Sequence, residues 1–396
     1  MGTPSLHIGF DVTQAGSKKT GCGFYAHAIA NAMIALSETA QFSLFPSFGD
    51  YFFDPFMPIK NPYPKGTYGP RHLTREAAAE FWNHPQLETA LNNPDIIHAN
   101  NFWCPTQLRE SRLIYTLYDL SFVANPEWTT ELNRASCFEG MFRSSQCADW
   151  IVAISESSRE HYLDLFPHFP ADRIYVIYPC SRYHDLSVLG KKPKALKGIP
   201  DGGFWLSVGT IEPRKNQKLL VKAYADYLAH GGKPMPLVFA GGKGWLMEDF
   251  NDYIQQLGVE ASIIFTGYVN DDELIWLYRN CYAHIYPSLF EGFGLPVLEG
   301  MQFGAATLTS NSTSIPEVCG DSAILIPPED SVPWTEAMVQ LANDPQARQQ
   351  LREKAQQRAA QFSWHDSAHG VLSLYEKAMT YPKRRPFLSE PLRAER

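Results

Sequence analysis

Short apolar runs alternate with longer amphipathic segments along most of this sequence of 396 residues. Runs of about four to eight apolar residues are typical of buried strands, and apolar residues that recur every three or four positions are typical of helices. Strands that alternate with helices form parallel sheets covered by helices on both faces. The alternation therefore predicts an α/β fold.

The predicted elements fall into two series. In the first series, strands are predicted over residues 5–12, 96–99, 113–117, 150–154 and 174–177, with a helix over 24–36. In the second series, the predicted strands are 204–208, 236–240, 262–265, 283–286, 306–308 and 323–325, and the predicted helices are 216–230, 248–257, 271–279, 295–303, 334–342 and 345–361. Parallel sheets of this kind bind ligands at the carboxyl ends of their strands, so the residues there are the ones to inspect.

The stretch between the two series, residues 182–203, is rich in lysine, proline and glycine and has little apolar periodicity. Such a composition is typical of an exposed linker between domains. We therefore predict a first domain over 1–185, a linker over 186–203, a second domain over 204–364, and a final helix and tail over 365–396.

Charge and composition exclude several classes of protein. The chain has 34 Lys and Arg against 42 Asp and Glu, a net charge of −8, which argues against nucleic-acid binding as its main function. It lacks an apolar run of 18 residues and a basic, then apolar N-terminus, so we expect neither a membrane span nor a secretory signal. The seven cysteines form no Cys-x-x-Cys pair, which predicts reduced thiols in the cytoplasm and no metal site.

The densest chemical signal is the segment from Glu291 to Glu299, which follows a predicted strand and enters a predicted helix. Gly292 and Gly294 let the backbone approach a ligand closely, and Pro296 suits the first helical turn. N–H groups at the start of a helix bind phosphate well, whereas the two carboxylates suit sugar hydroxyls. A nucleotide sugar would satisfy both kinds of group.

A second signal lies in residues 209–216, which also join a predicted strand to a predicted helix. Arg214 and Lys215 stand at this junction, where two cations can meet a diphosphate. They would also stabilise the negative charge that develops on such a leaving group. A solvated pair of surface cations is the alternative interpretation.

Together these motifs resemble the signature of the large retaining glycosyltransferase family of group 1, often called family four, which has the GT-B fold. The run 212–216 is similar to the mannosyltransferase-like branch of that family. Segment 149–155 resembles its strand-Ser segment, 266–269 the loop before the donor base, and 362–364 the point where the last helix returns to the first domain. The resemblance implies two Rossmann-like domains facing a central cleft, the first on the acceptor side and the second binding the nucleotide sugar.

The resemblance also implies a role for each motif residue. Glu291 would contact hydroxyls of the donor sugar, Glu299 would bind the ribose, and Arg214 and Lys215 would hold the diphosphate. Further donor contacts are implied for the backbone N–H groups of Phe293, Gly294 and Leu295, for Gly21 and Gly23 in the glycine loop 20–23, for Gly241 in the loop 241–244, and for Val269.

One position departs from the family pattern. Many relatives carry His-Asp at the end of the strand that enters the cleft from the first domain, whereas this chain has Tyr118-Asp119. A phenol with a pKa of about 10 does not serve as a base at neutral pH as an imidazole does, so Tyr118 is expected either to position a sugar hydroxyl or only to pack. Asp119 is the stronger catalytic candidate. His98 ends another predicted strand and is either an acceptor contact or a structural histidine.

The sequence thus predicts a cytoplasmic, retaining glycosyltransferase that moves a hexose to a saccharide or lipid-linked saccharide acceptor in polysaccharide biosynthesis. GDP-mannose is the donor that the branch resemblance favours. No Asp-x-Asp tripeptide occurs, which agrees with chemistry that uses no metal and no cofactor. A nucleotide-sugar epimerase of similar fold and a non-catalytic sugar-nucleotide-binding subunit are the alternatives.

Two further features leave alternatives open. The cluster Lys383-Arg384-Arg385 is either an exposed tail or a contact with anionic lipid at the inner membrane face. The aromatic residues of 51–56 and 102–103 form either a platform for sugar or lipid or ordinary core packing.

Overall fold

The structure, a computed structural model, describes residues 5–15, 21–45, 66–68, 75–100, 104–183 and 186–384. Thr20, Arg385 and the aromatic residues of 51–56 and 102–103 lie outside these ranges. The chain forms two compact units. The first unit comprises Met1–Val123, Glu131–Arg182 and Ser363–Arg396, and the second comprises Ala124–Thr130 and Tyr183–Phe362.

The first unit is built on a parallel sheet with seven strands in the described residues. These strands are β1 (His7–Asp11), β2 (Gln41–Phe45), β3 (Thr67–Tyr68), β4 (Ile96–Asn100), β5 (Arg112–Leu117), β6 (Trp150–Ala153) and β7 (Ile174–Val176). Their order is β3-β2-β1-β4-β5-β6-β7, so the carboxyl ends of β1, β4 and β5 are neighbours. The predicted strands are confirmed within a few residues, and β2 and β3 were not predicted.

The described residues of the first half of the sequence form six helices: α1 (Gly21–Leu36), α2 (Arg75–Trp82), α3 (Leu87–Ala90), α4 (Ser121–Ala124), α5 (Glu131–Cys147) and α6 (Glu156–Leu165). Short 3₁₀ helices span Pro126–Trp128 and Ala171–Arg173. The central strands are buried on both faces, as the near-continuous burial of Ile96–Asn100 shows. That is the pattern of a parallel sheet covered by helices on both sides.

The second unit repeats this architecture with a six-stranded parallel sheet in the described residues. Its strands are β8 (Trp205–Val208), β9 (Leu237–Ala240), β10 (Ile263–Gly267), β11 (Ala283–Tyr286), β12 (Thr307–Ser310) and β13 (Ile324–Ile326). The order β10-β9-β8-β11-β12-β13 reverses direction between β8 and β11. Such a switch point opens a crevice at the carboxyl ends of the two central strands, where ligands bind.

In the part of this unit that the structure describes, seven helices cover the second sheet: α7 (Gln217–Ala229), α8 (Phe250–Gln256), α9 (Asp271–Asn280), α10 (Leu295–Gln302), α11 (Ile315–Cys319), α12 (Ser331–Asn343) and α13 (Pro345–Ala359). Short 3₁₀ helices span Lys194–Leu196, Pro213–Lys215 and Glu260–Ser262. All the helices predicted for this half are present. Helix α9 starts with a capping box between Asn270 and Glu273, which fixes its first turn.

The last helix, α14 (Trp364–Thr380), returns to the first unit. Ser363 caps its start, and the Trp364 indole N–H donates to the Ser181 carbonyl at 2.8 Å. The Ser367 hydroxyl donates to the Tyr178 carbonyl at 2.6 Å. These bonds confirm the expected return of the helix to the first domain.

The segment predicted to be an exposed linker packs within the second unit instead. Leu196 is fully buried in the core, and the Lys191 N–H donates to the Asp272 carbonyl at 2.9 Å. At Gly190, with a φ of +76°, a Cβ atom would lie 2.4 Å from that same carbonyl oxygen. The sparse apolar residues of the segment supply core contacts that its overall composition conceals.

The basic cluster near the C-terminus is docked rather than free. The Arg384 side chain donates to the carbonyls of Ala148 and Ser145 at 2.7 and 2.8 Å, and its backbone N–H donates to Asp149 Oδ1 at 2.6 Å. Lys383 Nζ donates to the carbonyls of Leu108 and Ser111 at 3.0 and 2.8 Å. Neither interpretation of the tail as exposed or lipid-bound fits these two residues.

Within the described ranges, no helix has the length and apolarity needed to cross a bilayer.

Candidate active site

The candidate site of the second unit lies beyond the carboxyl ends of β8 and β11, which pair directly at Ala283 with Trp205. After β8 the chain turns into the 3₁₀ helix Pro213–Lys215, whose first position suits proline. Asn216 then adopts a φ of +58° and redirects the chain into α7. This turn places two consecutive basic residues at the edge of the sheet.

Arg214 and Lys215 are both held by buried acceptors rather than by solvent. The Arg214 guanidinium donates to the Phe290 carbonyl at 2.7 Å and to Glu212 Oε1 at 2.8 Å. Lys215 Nζ lies 2.5 Å from Glu291 Oε1. The side chains of Arg214 and Lys215 are only 18% and 13% exposed, which excludes the solvated surface pair considered from the sequence.

Glu291 is the centre of the network. Its Oε1 atom accepts hydrogen bonds from Lys215 and from the hydroxyls of Tyr286 at 2.9 Å and Ser288 at 2.5 Å. Its Oε2 atom lies 3.2 Å from Arg214 Nη1. Burial would raise the pKa of Glu291, but the charges of Lys215 and Arg214 outweigh it and lower that pKa to about 2.

The charges of this cluster balance. Two buried carboxylates, Glu212 and Glu291, face the two cations Arg214 and Lys215. An anionic ligand that approached the cations would have to share them with Glu291 or displace its carboxylate. The arrangement therefore links anion binding to the position of Glu291.

Helix α10 begins directly behind Glu291. Gly294, its N-cap, has a φ of +99°, and a Cβ atom there would lie 2.5 Å from Ile315 Cδ1. A side chain at this position is therefore disfavoured by the left-handed backbone, and it would also require the end of the Ile315 side chain to move. The N-terminal turn formed by Phe293, Gly294 and Leu295 carries the positive end of the helix dipole.

Glu299 lies on α10 immediately before the buried Gly300, and its own exposed fraction is 5%. The Tyr278 hydroxyl donates to Glu299 Oε2 at 3.2 Å from helix α9. The two carboxylates that the sequence singled out are thus both buried polar groups with defined partners. Tyr278 and Tyr286 were not identified from the sequence, because a tyrosine in an apolar pattern is most often a core residue.

A serine- and threonine-rich loop after β12, residues 311–314, supports the Glu291 turn. The Glu291 N–H donates to Thr313 Oγ1 at 2.9 Å, and the Ser314 hydroxyl donates to the Glu291 carbonyl at 2.9 Å. The Ser312 hydroxyl donates to the Ser288 carbonyl at 2.9 Å. The sequence signal that could have identified this loop is its run of hydroxyl residues between a predicted strand and the segment that follows.

Gly241 and Val269 lie on the other side of β8. A Cβ atom at Gly241 would lie 2.0 Å from the Gly209 carbonyl oxygen, so only glycine lets the loops after β8 and β9 touch. Val269 follows β10 and packs against the core. A cavity of about 260 Å³ opens beside Gly241, with Ile211, Phe250 and Phe265 among its apolar walls and Lys243 and Glu248 among its charged residues.

In the first unit, Tyr118 and Asp119 follow β5 as predicted. The Asp119 carboxylate accepts hydrogen bonds from the N–H and hydroxyl of Ser121 at 3.1 and 2.8 Å, so it caps α4. The Tyr118 ring is buried, and its hydroxyl makes long contacts of 3.4 Å to Asn100 Oδ1 and 3.5 Å to the Cys22 carbonyl. Burial raises the pKa of Tyr118 well above its ordinary value, so the phenol stays protonated.

His98 does not fit the role of an acceptor contact. It is 1% exposed, and its two ring nitrogens lie 2.6 Å from the Tyr375 hydroxyl and 2.7 Å from Thr116 Oγ1. Burial lowers the pKa of His98 to about 3, so the ring is neutral. This environment corrects the first interpretation and favours the second, a structural histidine between the sheet and α14.

A buried carboxylate that the sequence analysis did not select ends β1. Asp11 Oδ1 accepts a hydrogen bond from the Thr13 N–H at 2.8 Å, and Oδ2 lies 3.4 Å from the Asn100 N–H. Burial raises the pKa of Asp11 to about 6 despite these bonds. Gly21 and Gly23 begin α1 in the same unit, and a Cβ atom at Gly21 would meet no neighbour within 4 Å.

Residues 124–130 come from the first-half sequence but pack in the second unit. The Trp128 ring lies 6.2 Å from that of Phe290, the residue before Glu291. The Trp128 carbonyl accepts a hydrogen bond from the Trp245 indole at 2.9 Å.

No group of three or more potential metal ligands occurs among the described residues.

Comparison with known protein families gives two matches that divide the chain. Residues 192–358 match the family described as glycosyl transferases group 1. Residues 23–180 match the family described as glycosyltransferase family 4. The two matches together include every site residue of the second unit and those of the first unit from Gly23 onwards.

Similar proteins are found among characterised sequences and solved structures. The O-antigen chain mannosyltransferase B of Escherichia coli is 32% identical over 289 residues, which cover 71% of this chain and 74% of that protein. The serotype-specific mannosyltransferase WbdA of Escherichia coli is 35% identical over 310 residues, 73% of this chain but only 38% of that longer protein. The crystal structure of Anabaena Alr3699/HepE in complex with UDP and glucose superposes with a TM-score of 0.68 at 16% identity, covering 94% of this chain and all of that one.

Proposed function

The chain belongs to the group 1 glycosyltransferases, with the GT-B fold, and from that premise we propose that it transfers mannose from GDP-mannose to a saccharide or lipid-linked saccharide acceptor. The transfer would retain the anomeric configuration and would need no metal. The mannosyltransferase relatives support the sugar and its use in polysaccharide biosynthesis.

The observation that carries the proposal is the buried pairing of Arg214 and Lys215 with Glu291 at the switch point of the second sheet. A diphosphate has the charge to take up both cations, because each cation would exchange one anionic oxygen for another. The exchange would release the Glu291 carboxylate to accept hydrogen bonds from hydroxyls of the donor sugar. Donor binding and the placement of a sugar-binding carboxylate would then be one event.

The reaction would proceed through an oxocarbenium-like transition state. As the bond to the leaving diphosphate breaks, Arg214, Lys215 and the N-terminal turn of α10 would stabilise the charge that develops on it. The acceptor hydroxyl would attack from the face that the diphosphate leaves and would give its proton to a diphosphate oxygen. Glu299, held by Tyr278, would bind the ribose.

The nucleobase is the least constrained part of the donor. Its place would be near Gly241 and Val269, and a cavity opens at Gly241 beside β9. HepE binds UDP, whereas the resemblance of residues 212–216 to the mannosyltransferase-like branch favours a guanine nucleotide. The two nucleosides therefore have to be compared directly.

Tyr118 and Asp119 are proposed for the acceptor side. Tyr118, fixed as a protonated phenol, would position a sugar hydroxyl but would not remove its proton. This is consistent with a mechanism in which the leaving diphosphate is the base. The cap that Asp119 forms on α4 would give its carboxylate a fixed direction.

Turnover of GDP-mannose, UDP-glucose and UDP-galactose with a panel of mannose-containing acceptors tests the proposal. We expect mannosylated product from GDP-mannose alone, with the α configuration of the donor preserved in the product by NMR. Transfer from a uridine sugar but not from GDP-mannose would refute the donor assignment. Epimerised nucleotide sugar formed without any acceptor would favour the epimerase alternative.

A further inference from the structure

We infer that Thr313 is a positioning residue for the reaction: its hydroxyl fixes the backbone of Glu291 and thereby the direction of that carboxylate. The inference rests on the proposed role of Glu291 at the donor sugar. It concerns a residue outside the motif from Glu291 to Glu299, on a loop that follows a different strand, β12.

The contact is direct and specific. Thr313 Oγ1 accepts the Glu291 N–H at 2.9 Å, while the neighbouring Ser314 hydroxyl donates to the Glu291 carbonyl at 2.9 Å. Ser312 holds the Ser288 carbonyl in the same way. Three consecutive hydroxyl side chains therefore hold the backbone on which Glu291 and Ser288 stand, and the two polar backbone groups of Glu291 both depend on this loop.

Thr313 maintains this contact in an unfavourable backbone conformation. Its φ is +48°, in the left-handed region that glycine and asparagine adopt easily and β-branched residues avoid. Of the five non-glycine residues with positive φ in the described part of the chain, three are asparagine and the fourth is Leu246, which leaves Thr313 as the β-branched one. Strain of this kind persists where the surroundings over-determine it, and it concentrates at functional sites.

The physical consequence follows from the crowding around Glu291. Its carboxylate lies within 2.5 to 3.2 Å of four partner atoms, so a small rotation of the peptide would change every one of those distances. Without the Thr313 hydroxyl, the Glu291 N–H loses its acceptor and the turn is free to relax. A displacement of about 1 Å at a reacting group can cost about 10²-fold in rate.

Three substitutions separate the hydroxyl from the backbone strain. Thr313→Val removes the hydroxyl and keeps the β-branch, whereas Thr313→Ser keeps the hydroxyl. Thr313→Gly removes both the hydroxyl and the strain, so it remains informative if the valine variant does not fold. Thr335→Val is the matched control, because the buried Thr335 hydroxyl also bonds to the backbone, although as a donor to the carbonyls of Ala223 and Ser331, within helix-packing contacts of the same unit.

We expect kcat with the donor to fall about 10-fold or more in Thr313→Val and Thr313→Gly, with KM changed less than threefold, and to recover in Thr313→Ser. Thr335→Val should lower the melting temperature without lowering kcat. Hydrogen–deuterium exchange at residues 287–294 should accelerate in the valine and glycine variants and stay slow in the serine variant. This second measurement does not depend on which donor is used.

Wild-type kcat in both the valine and the glycine variant would overturn the inference, and so would unchanged exchange at residues 287–294. An equal loss of kcat in Thr335→Val would assign the effect to general stability and would also overturn it. Absence of turnover by the unmodified enzyme with every donor would refute the proposed function instead. In that case the exchange measurement alone would decide whether Thr313 holds Glu291.

Discussion

The Tyr286 hydroxyl bridges Lys215 and Glu291: it accepts a hydrogen bond from Lys215 Nζ at 2.5 Å and donates one to Glu291 Oε1 at 2.9 Å. Its ring also faces the same ammonium, 5.0 Å from the centroid. Burial, followed by the charge of Glu291, raises the pKa of Tyr286 well above its ordinary value, so the hydroxyl keeps its proton and remains a donor. The phenol thus fixes the distance between Lys215 and Glu291. In the proposed chemistry, Lys215 binds the diphosphate of the donor and Glu291 binds its sugar.

Replacing Tyr286 by phenylalanine should lower kcat about 5- to 15-fold, because the hydrogen bonds of the hydroxyl to Lys215 and Glu291 are both lost, at about 1 to 1.5 kcal/mol in total, while the ring and its contact with Lys215 remain. Steady-state kinetics with saturating acceptor would measure the effect. Tyr282→Phe is the control, since the Tyr282 hydroxyl donates to the Leu341 carbonyl at 3.0 Å, away from Lys215 and Glu291. Equal effects of the two substitutions would contradict a role for the bridge.

Lys215→Ala and Arg214→Ala should each lower kcat more than they raise KM. A fixed cation stabilises the leaving diphosphate most in the transition state, and the loss could reach about 10²–10³ in rate. The bonds of Arg214 to Glu212 and Phe290 hold it in the site, so we expect the two variants to be comparably impaired. Lys218→Ala, which removes an exposed ion pair with Asp249, should leave both constants unchanged. A rise in KM alone would make both cations simple binding groups.

Glu299→Ala should weaken binding of the nucleoside diphosphate by about 1.5–3 kcal/mol, the usual value of a hydrogen bond to a charged group. Isothermal titration with GDP would measure it directly. Tyr278→Phe should show a smaller change in the same direction, because it removes one contact to Glu299 and leaves the carboxylate in place. An unchanged dissociation constant for Glu299→Ala would exclude the assigned ribose contact.

Activity should persist in EDTA, since Arg214, Lys215 and the start of α10 provide the charge that a metal would otherwise bring to the diphosphate. The assay compares turnover in EDTA with turnover after added Mg²⁺ or Mn²⁺. Complete loss in EDTA with recovery on adding either ion would contradict the mechanism.

Asp11 predicts an unusual dependence of stability on pH. Its pKa is about 6 in the folded chain against an ordinary 3.8, so the folded state binds this proton more tightly than the unfolded state does. The contribution of protonated Asp11 to the free energy of unfolding is therefore fully present below about pH 4 and is lost as the pH rises to about 6. Asp11→Asn, which stays neutral, should be more stable than the wild type at pH 7.5, by up to about 3 kcal/mol. The difference in the free energy of unfolding between the variant and the wild type should shrink towards zero at pH 4. Thermal unfolding at pH 7.5 and at pH 4 measures this difference, and an equal difference at both pH values would contradict the prediction.

The sequence was sufficient for the architecture and for the charged residues of the site. Strand ends, glycines and the carboxylate spacing are local patterns, so Glu291, Glu299, Arg214 and Lys215 could be selected without coordinates. The partners of those residues were not predictable in the same way. Tyr286 has the pattern of a buried strand residue, and Thr313 reaches Glu291 only because β11 and β12 are neighbours in the sheet.

Two points that the sequence left open or misjudged depend on contacts between distant segments. His98 has the position of a ligand at a strand end, but α14 brings Tyr375 against it from 277 residues away. Residues 186–203 have the composition of a linker, yet a few apolar side chains tie them to the second core. The composition of a segment therefore does not decide whether the segment is buried, because burial depends on contacts with residues distant in sequence.

The return of α14 to the first unit has a consequence for how the chain is made. Tyr25 on α1 and His98 on β4 are both covered by this helix, through Trp364 at a ring distance of 5.8 Å and through Tyr375. A ribosome adds about 5–20 residues per second, so roughly 10 to 40 s separate the synthesis of Arg182 from that of Thr380. The unit that emerges first is therefore completed last, and during that interval Tyr25 and His98 lack the cover that α14 gives them.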